Sequence, residues 1–212
     1  AMLSITNLDS TQTINYNEDK IIALSGILSV KMKKVPVYLV NEQTMDRLYP
    51  PQKRILLDEE CLKEFLNRRE ERINEENLEE IFDKCSRETK SKAIAVGLYM
   101  RNIPNWLYNQ FNDLKEPAIF ICPERCISWG NSLNISAEFV FTKVLFHEYA
   151  HAYLDVNRGS DYYNTSWGKI IEESLANYIA YSRFKSTKDK ANVIKLISDQ
   201  PLEYRGSLVL TE

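Results

Sequence analysis

His147 and His151 are the only histidines among the 212 residues, and they stand four apart with Glu148 directly after the first. On a helix, positions i and i+4 lie one above the other on the same face. Both imidazoles can then reach one Zn2+ ion and leave the rest of its coordination sphere to another segment. Glu148 can reach a water activated by that ion, the place of a general base in metal-assisted hydrolysis. The flanks favour this chemistry over a solvated surface. Across residues 144–154 Glu148 is the only formally charged side chain. A helix apolar nearly all round lies in a core. A carboxylate without a partner there is costly or forced neutral. A metal site at the bottom of a cleft gives all three polar side chains a partner. Ser136 fits the N-cap of this helix, with Glu138 in its first turn.

A catalytic zinc takes three protein ligands and keeps an open fourth position. No histidine remains, so the third ligand is a carboxylate or a thiolate. The next helical stretch, residues 167–181, follows a polar loop around 157–165 that is long enough to reverse the chain. Its Glu172 and Glu173 are adjacent and point about 100° apart on a helix, so only one faces the metal. Glu173 shares its face with Ala176, Asn177 and Ala180. Those small residues permit close helix approach, and Asn177 lies one turn beyond to support a ligand. Glu172 shares its face with Leu175, Ile179 and Arg183. Glu173 is favoured, and Glu172 is the second choice.

The HExxH segment, followed after residues 152–172 by Glu173 and Asn177, resembles the gluzincin arrangement of zinc metallopeptidases. The resemblance covers roughly residues 93–184. It implies one Zn2+ per chain held by His147, His151 and Glu173, with Glu148 as catalytic base. It also implies that Asn177 orients a metal-binding histidine through the other ring nitrogen. The fold it implies is α+β and zincin-like, a short β-sheet packed on the HExxH helix and on a second metal-ligand helix. In such domains an edge strand pairs with an extended substrate. A metzincin would need a third histidine, and the first ninety residues match no one family.

The elements that must position these side chains are partly readable. Residues 92–100 and 117–122 are short, apolar and partly β-branched and read as strands, as do residues 35–40. Residues 102–116 read as a short helix whose Trp106, Tyr108 and Phe111 belong to the core. Residues 58–84 suit one or two charged amphipathic helices, and 188–198 a further helix. A chain of 212 residues builds one core. The organisation expected is a single domain over 1–212, with an N-terminal accessory layer over 1–90 and the catalytic core over 91–212.

A net charge of −3 leaves no basic footprint for nucleic acid. No apolar run reaches the 18 residues or so of a membrane span, and the start lacks the features of a signal peptide. Cys61, Cys85, Cys122 and Cys126 read as reduced thiols of a cytoplasmic protein. The expectation is a selective intracellular zinc endopeptidase acting on a peptide or protein. The electrophile beside the metal would be Tyr204 or Arg205, with Tyr162 and Tyr163 as further candidates. The alternatives are a regulatory or sensor protein that binds a peptide or partner without turnover, and a hydrolase of non-peptide amides. The intact Glu148 favours an enzyme.

Overall fold

A computed structural model describes residues 3–58, 60, 61, 63, 64, 80, 81, 83–155, 166–201, 204, 205 and 208. In chain order its elements are β1 (Ile5–Asn7), α1 (Glu18–Ser25), α2 (Ser29–Met32), β2 (Val37–Leu39), α3 (Glu42–Leu48), β3 (Gln52–Leu57) and β4 (Ser86–Ala93). They continue with β5 (Gly97–Met100), α4 (Asn105–Gln110), β6 (Ala118–Ile121), α5 (Pro123–Leu133), α6 (Ala137–Asp155), α7 (Ser166–Arg183) and α8 (Thr187–Ser198). The expected mixed α+β character holds. Most of the helical expectation over 58–84, the loop over 157–165, and Tyr162 and Tyr163 lie outside the described residues.

Every residue of β6 is buried, which suits a central strand covered on both faces. Alternation along the strand divides its side chains between two cores. Ile119 and Ile121 join the cluster built from α6, α7 and α8, while Ala118 and Phe120 join Leu107 and Met45 on the other face. The sheet order is β1-β2-β6-β5, with the first three strands parallel and β5 antiparallel at the edge. Strands from both sides of residue 90 share this sheet. The expected boundary there does not separate an N-terminal layer from it.

The apolar run over 92–100 is not one strand. Lys92 and Ala93 end β4, which among the described residues pairs only with β3 in a separate two-stranded sheet, and Gly97 opens β5. Between them the backbone is held from the side. Arg125 Nη1 donates to Ala95 O at 2.9 Å, and the Cys122 N–H donates to Val96 O at 2.9 Å. Helix α5 has no counterpart in the sequence reading, although its signals are present. Pro123 stands at its first position, and Asn134 ends it in the left-handed region at φ 55°.

The helices that matter most form where their ends and apolar faces direct. Ser136 Oγ accepts the Phe139 N–H at 3.2 Å, as an N-cap should. Residues 140–152 of α6 are all buried. Ala176 and Ala180 of α7 are fully buried in the same core, so the small-residue face does meet α6. Helix α8 is capped by Ser186, whose Oγ accepts the Asp189 N–H at 3.1 Å. Trp106 of α4 and Phe111 just past its end pack against the second core as expected, whereas Tyr108 is exposed and donates to Glu116.

Cys61 and Cys85 form a disulfide, which corrects the expectation of four reduced thiols; Cys122 and Cys126 are free and buried. Disulfides persist in oxidising surroundings, so this pair gives no support to a cytoplasmic setting. Among the described residues no helix is long and apolar enough to cross a membrane.

Candidate metal centre

Helix α6 carries His147 and His151 on one face, and α7 lies antiparallel beside it, as two contacts fix. Lys143 of α6 meets Asn177 of α7, and one turn further along α6 His147 meets Glu173. That alignment closes a triad. His147 Nε2 is 3.0 Å from Glu173 Oε2 and 3.1 Å from His151 Nε2, and His151 Nε2 is 3.2 Å from Glu173. Two donors about 2.0 Å from one tetrahedral ion stand about 3.3 Å apart, so these separations suit convergence on a single metal. All three side chains are buried, and their ligand atoms lie within 4.8 Å of one another. A buried His/His/Glu group of this kind could hold a metal ion.

The electrostatics fit a site that concentrates negative charge against imidazole. Burial opposes the charge on Glu173, yet His151 and His147 together hold its carboxyl well below the usual range. Burial also opposes a charged His151, but Glu173 and Glu172 hold that imidazole well above its ordinary value. The His147 imidazole is pushed down to about 4 by burial.

The neighbouring glutamate has its own place. Glu172 Oε1 lies 3.3 Å from His151 Nδ1, the ring nitrogen that faces away from the triad. Carboxylates in this position fix the tautomer and orientation of a metal-binding histidine. This role was expected of Asn177, and the structure corrects it. Asn177 sits one turn past Glu173, and its side chain is taken up by other partners. Its Oδ1 accepts from Lys143 Nζ at 3.0 Å, and its Nδ2 donates to Gln200 Oε1 at 3.0 Å and to Tyr204 O at 2.9 Å. Among the described residues His147 Nδ1 has no hydrogen-bond partner.

Glu148 points from α6 toward the edge strand. It accepts the backbone N–H of Tyr99, and burial pushes its carboxyl up to about 7. The approach of β5 depends on Gly97. A Cβ there would lie 2.5 Å from Val144 Cγ1 and 3.0 Å from Glu148 Cγ, so only glycine lets the strand lie this close. Above the triad opens a cavity of about 750 Å3, walled by β5, by Gln52 and Arg54 of the β3–β4 hairpin, and by Trp129 and Tyr204.

Of the expected electrophiles, Tyr204 lines the cavity with its ring 5.7 Å from that of His147. Arg205 turns away and donates to Gln200 O. Lys143 is a site residue that the sequence reading missed. It is buried, lines the cavity, and donates to Asn177 and Gln200 Oε1; burial pushes its ammonium down to about 8. Its signal was a lone charge one turn before His147, immediately outside the apolar segment. Gly97 gave no comparable signal, and Glu172, the second choice as ligand, gave none for its place behind His151, because both roles depend on what packs against them.

Compared with protein-family models, with curated proteins and with solved structures, the chain finds no match.

Proposed function

We propose that this protein is a zinc-dependent metallopeptidase of the gluzincin type. The observation that supports it most is the convergence of His147, His151 and Glu173 at the floor of a cavity, with Glu148 beside them. These three residues would hold the ion, and their two-nitrogen, one-carboxylate set is a common one for catalytic zinc. Zn2+ bound there would supply Lewis acidity, polarising a peptide carbonyl and making a water more acidic.

The remaining work falls to the chain's own groups. Glu148 takes a proton from the attacking water on its carboxylate and returns it to the leaving amine. The Tyr99 N–H holds that carboxylate in place, and its raised affinity for a proton suits a group that must both accept and donate near neutral pH. Glu172 holds the His151 ring by its Nδ1. Strand β5 is an edge strand of its sheet and lines the cavity, so an extended peptide can add to it as a further strand. Tyr204 is the candidate donor to the developing oxyanion.

Metal analysis combined with a peptide-library digest tests the reading. The purified protein is expected to carry about one zinc per chain and to cleave a subset of peptides. Glu148→Gln is expected to keep the zinc and to lose cleavage by about 100-fold or more. Zinc-loaded protein that leaves every peptide intact would end the peptidase reading in favour of a binding protein. A Glu148→Gln variant as active as the parent would remove Glu148 from the chemistry.

A further inference from the structure

We propose that Lys143 is a substrate-binding residue that receives a carboxylate carried within one residue of the scissile peptide bond. The inference rests on the metallopeptidase reading and deepens it by naming a substrate class. Lys143 stands one helical turn before His147 on the same face of α6, so the two side chains leave the helix about 5–6 Å apart. It lines the cavity although only 1% of its surface is exposed.

Its hydrogen-bond partners are neutral. The ammonium donates to Asn177 Oδ1 at 3.0 Å and to Gln200 Oε1 at 3.1 Å, and the Trp129 ring lies 5.7 Å away. An ammonium has three N–H donors, and the third has no acceptor among the described residues. The carboxylates that line the cavity make their hydrogen bonds elsewhere, Asp155 with Arg101, Asp199 with Trp129 and Glu42 with Arg125. Glu173 faces the two histidines, Glu172 is held at His151, and Glu148 at the Tyr99 amide. A buried charge whose hydrogen bonds go only to amide acceptors is costly, and Glu148 and Glu173 offset part of that cost through space without bonding to it. The unmet third N–H is the place for an anion that arrives from outside.

The spacing says where on the substrate that anion lies. Consecutive Cα atoms are about 3.8 Å apart. A peptide whose scissile carbonyl lies over the triad therefore brings the next residue's carboxylate within a turn's length of His147. Either the chain's own C-terminal carboxylate or an Asp or Glu side chain would serve.

Calorimetric titration of zinc-loaded Glu148→Gln protein tests this with three acylated dipeptides. One is apolar with a free C-terminal carboxylate, one is the same peptide amidated, and one is amidated with Asp at its second position. At least one of the two acids is expected to bind about tenfold tighter than the neutral amide, as a charge-assisted bond requires. Whichever gains identifies a C-terminal or a side-chain carboxylate as the source. Lys143→Met in the same background is expected to bring that acid to the amide's affinity, and Lys143→Arg to keep part of the preference. Equal binding of all three peptides overturns the proposal. So does an acid preference that persists in Lys143→Met, since the carboxylate would then sit on the metal. If Lys143→Met fails to fold, the comparison of acid with amide on unchanged Lys143, together with Lys143→Arg, still decides. The titration needs no turnover, so an acid preference in a protein that cleaves nothing would sink the peptidase reading alone. Cleavage without such a preference would sink only the role of Lys143.

Discussion

Two surfaces of the same cavity are held in place by different means. The floor is the helix pair α6–α7, where residues 140–152 are buried and the contacts interlock: Lys143 with Asn177, His147 with Glu173, His151 with Glu172. The wall is the β3–β4 hairpin, two strands paired only with each other among the described residues and joined beyond their ends by the Cys61–Cys85 disulfide. Its cross-strand ion pair, Lys53 with Glu88, is mostly exposed. Such a pair contributes little to stability. Every candidate ligand is on the floor and none is on the wall. The difference teaches a division of labour: side chains whose mutual distances must hold closely are carried by packed helices, while access is bounded by a structure that can vary.

The largest expected effect comes from the floor itself. His147→Ala should abolish metal binding, and with it the stabilisation that a bound metal lends, about 4 kcal/mol at a metal concentration a thousand times the dissociation constant. Elemental analysis and thermal melts with and without zinc check this, and full zinc content in the variant would move the site off the triad. Next comes the residue behind the triad. Glu172→Gln should weaken zinc by about 10–100-fold without removing the site, measured by competition with a chelator. An unchanged affinity would mean that the contact to His151 Nδ1 does not orient the ring. The smallest effect belongs to the wall. Replacing both Cys61 and Cys85 by serine should lower stability by about 2–4 kcal/mol, as loss of a disulfide does, and leave zinc affinity as it was. A parallel loss of metal would show that hairpin and floor are one cooperative unit.

Much of the floor was legible because helix geometry is local. The apolar segment around the histidines predicted a buried helix, the run over 167–181 predicted the second, and Ser136 predicted where the first begins. The preference for Glu173 over Glu172 came from which neighbours share its face, a property of the same local geometry. The wall was poorly legible. The run over 92–100 reads as a single strand, yet it is split between two sheets, because Arg125 and Cys122 hold the backbone between them. Asn177 reads as a partner for histidine, and its side chain instead meets Lys143, Gln200 and Tyr204. Nothing local distinguishes those outcomes, since each depends on residues far away in the chain.

By itself the sequence determined that His147 and His151 share a helix face with Glu148 beside them, since the rise and turn of a helix set those relations within five residues. It also limited the third ligand to a carboxylate or thiolate by offering no further histidine. Tertiary structure decided the rest. The antiparallel register of α6 and α7 put Glu173 in the triad, Glu172 behind His151, and Asn177 against Lys143. The close approach of β5, which the missing Cβ of Gly97 allows, gave Glu148 its backbone partner. The physical reason is one of range: a single helix dictates which side chains share a face, whereas only the packing of helix on helix and strand on helix dictates what that face meets.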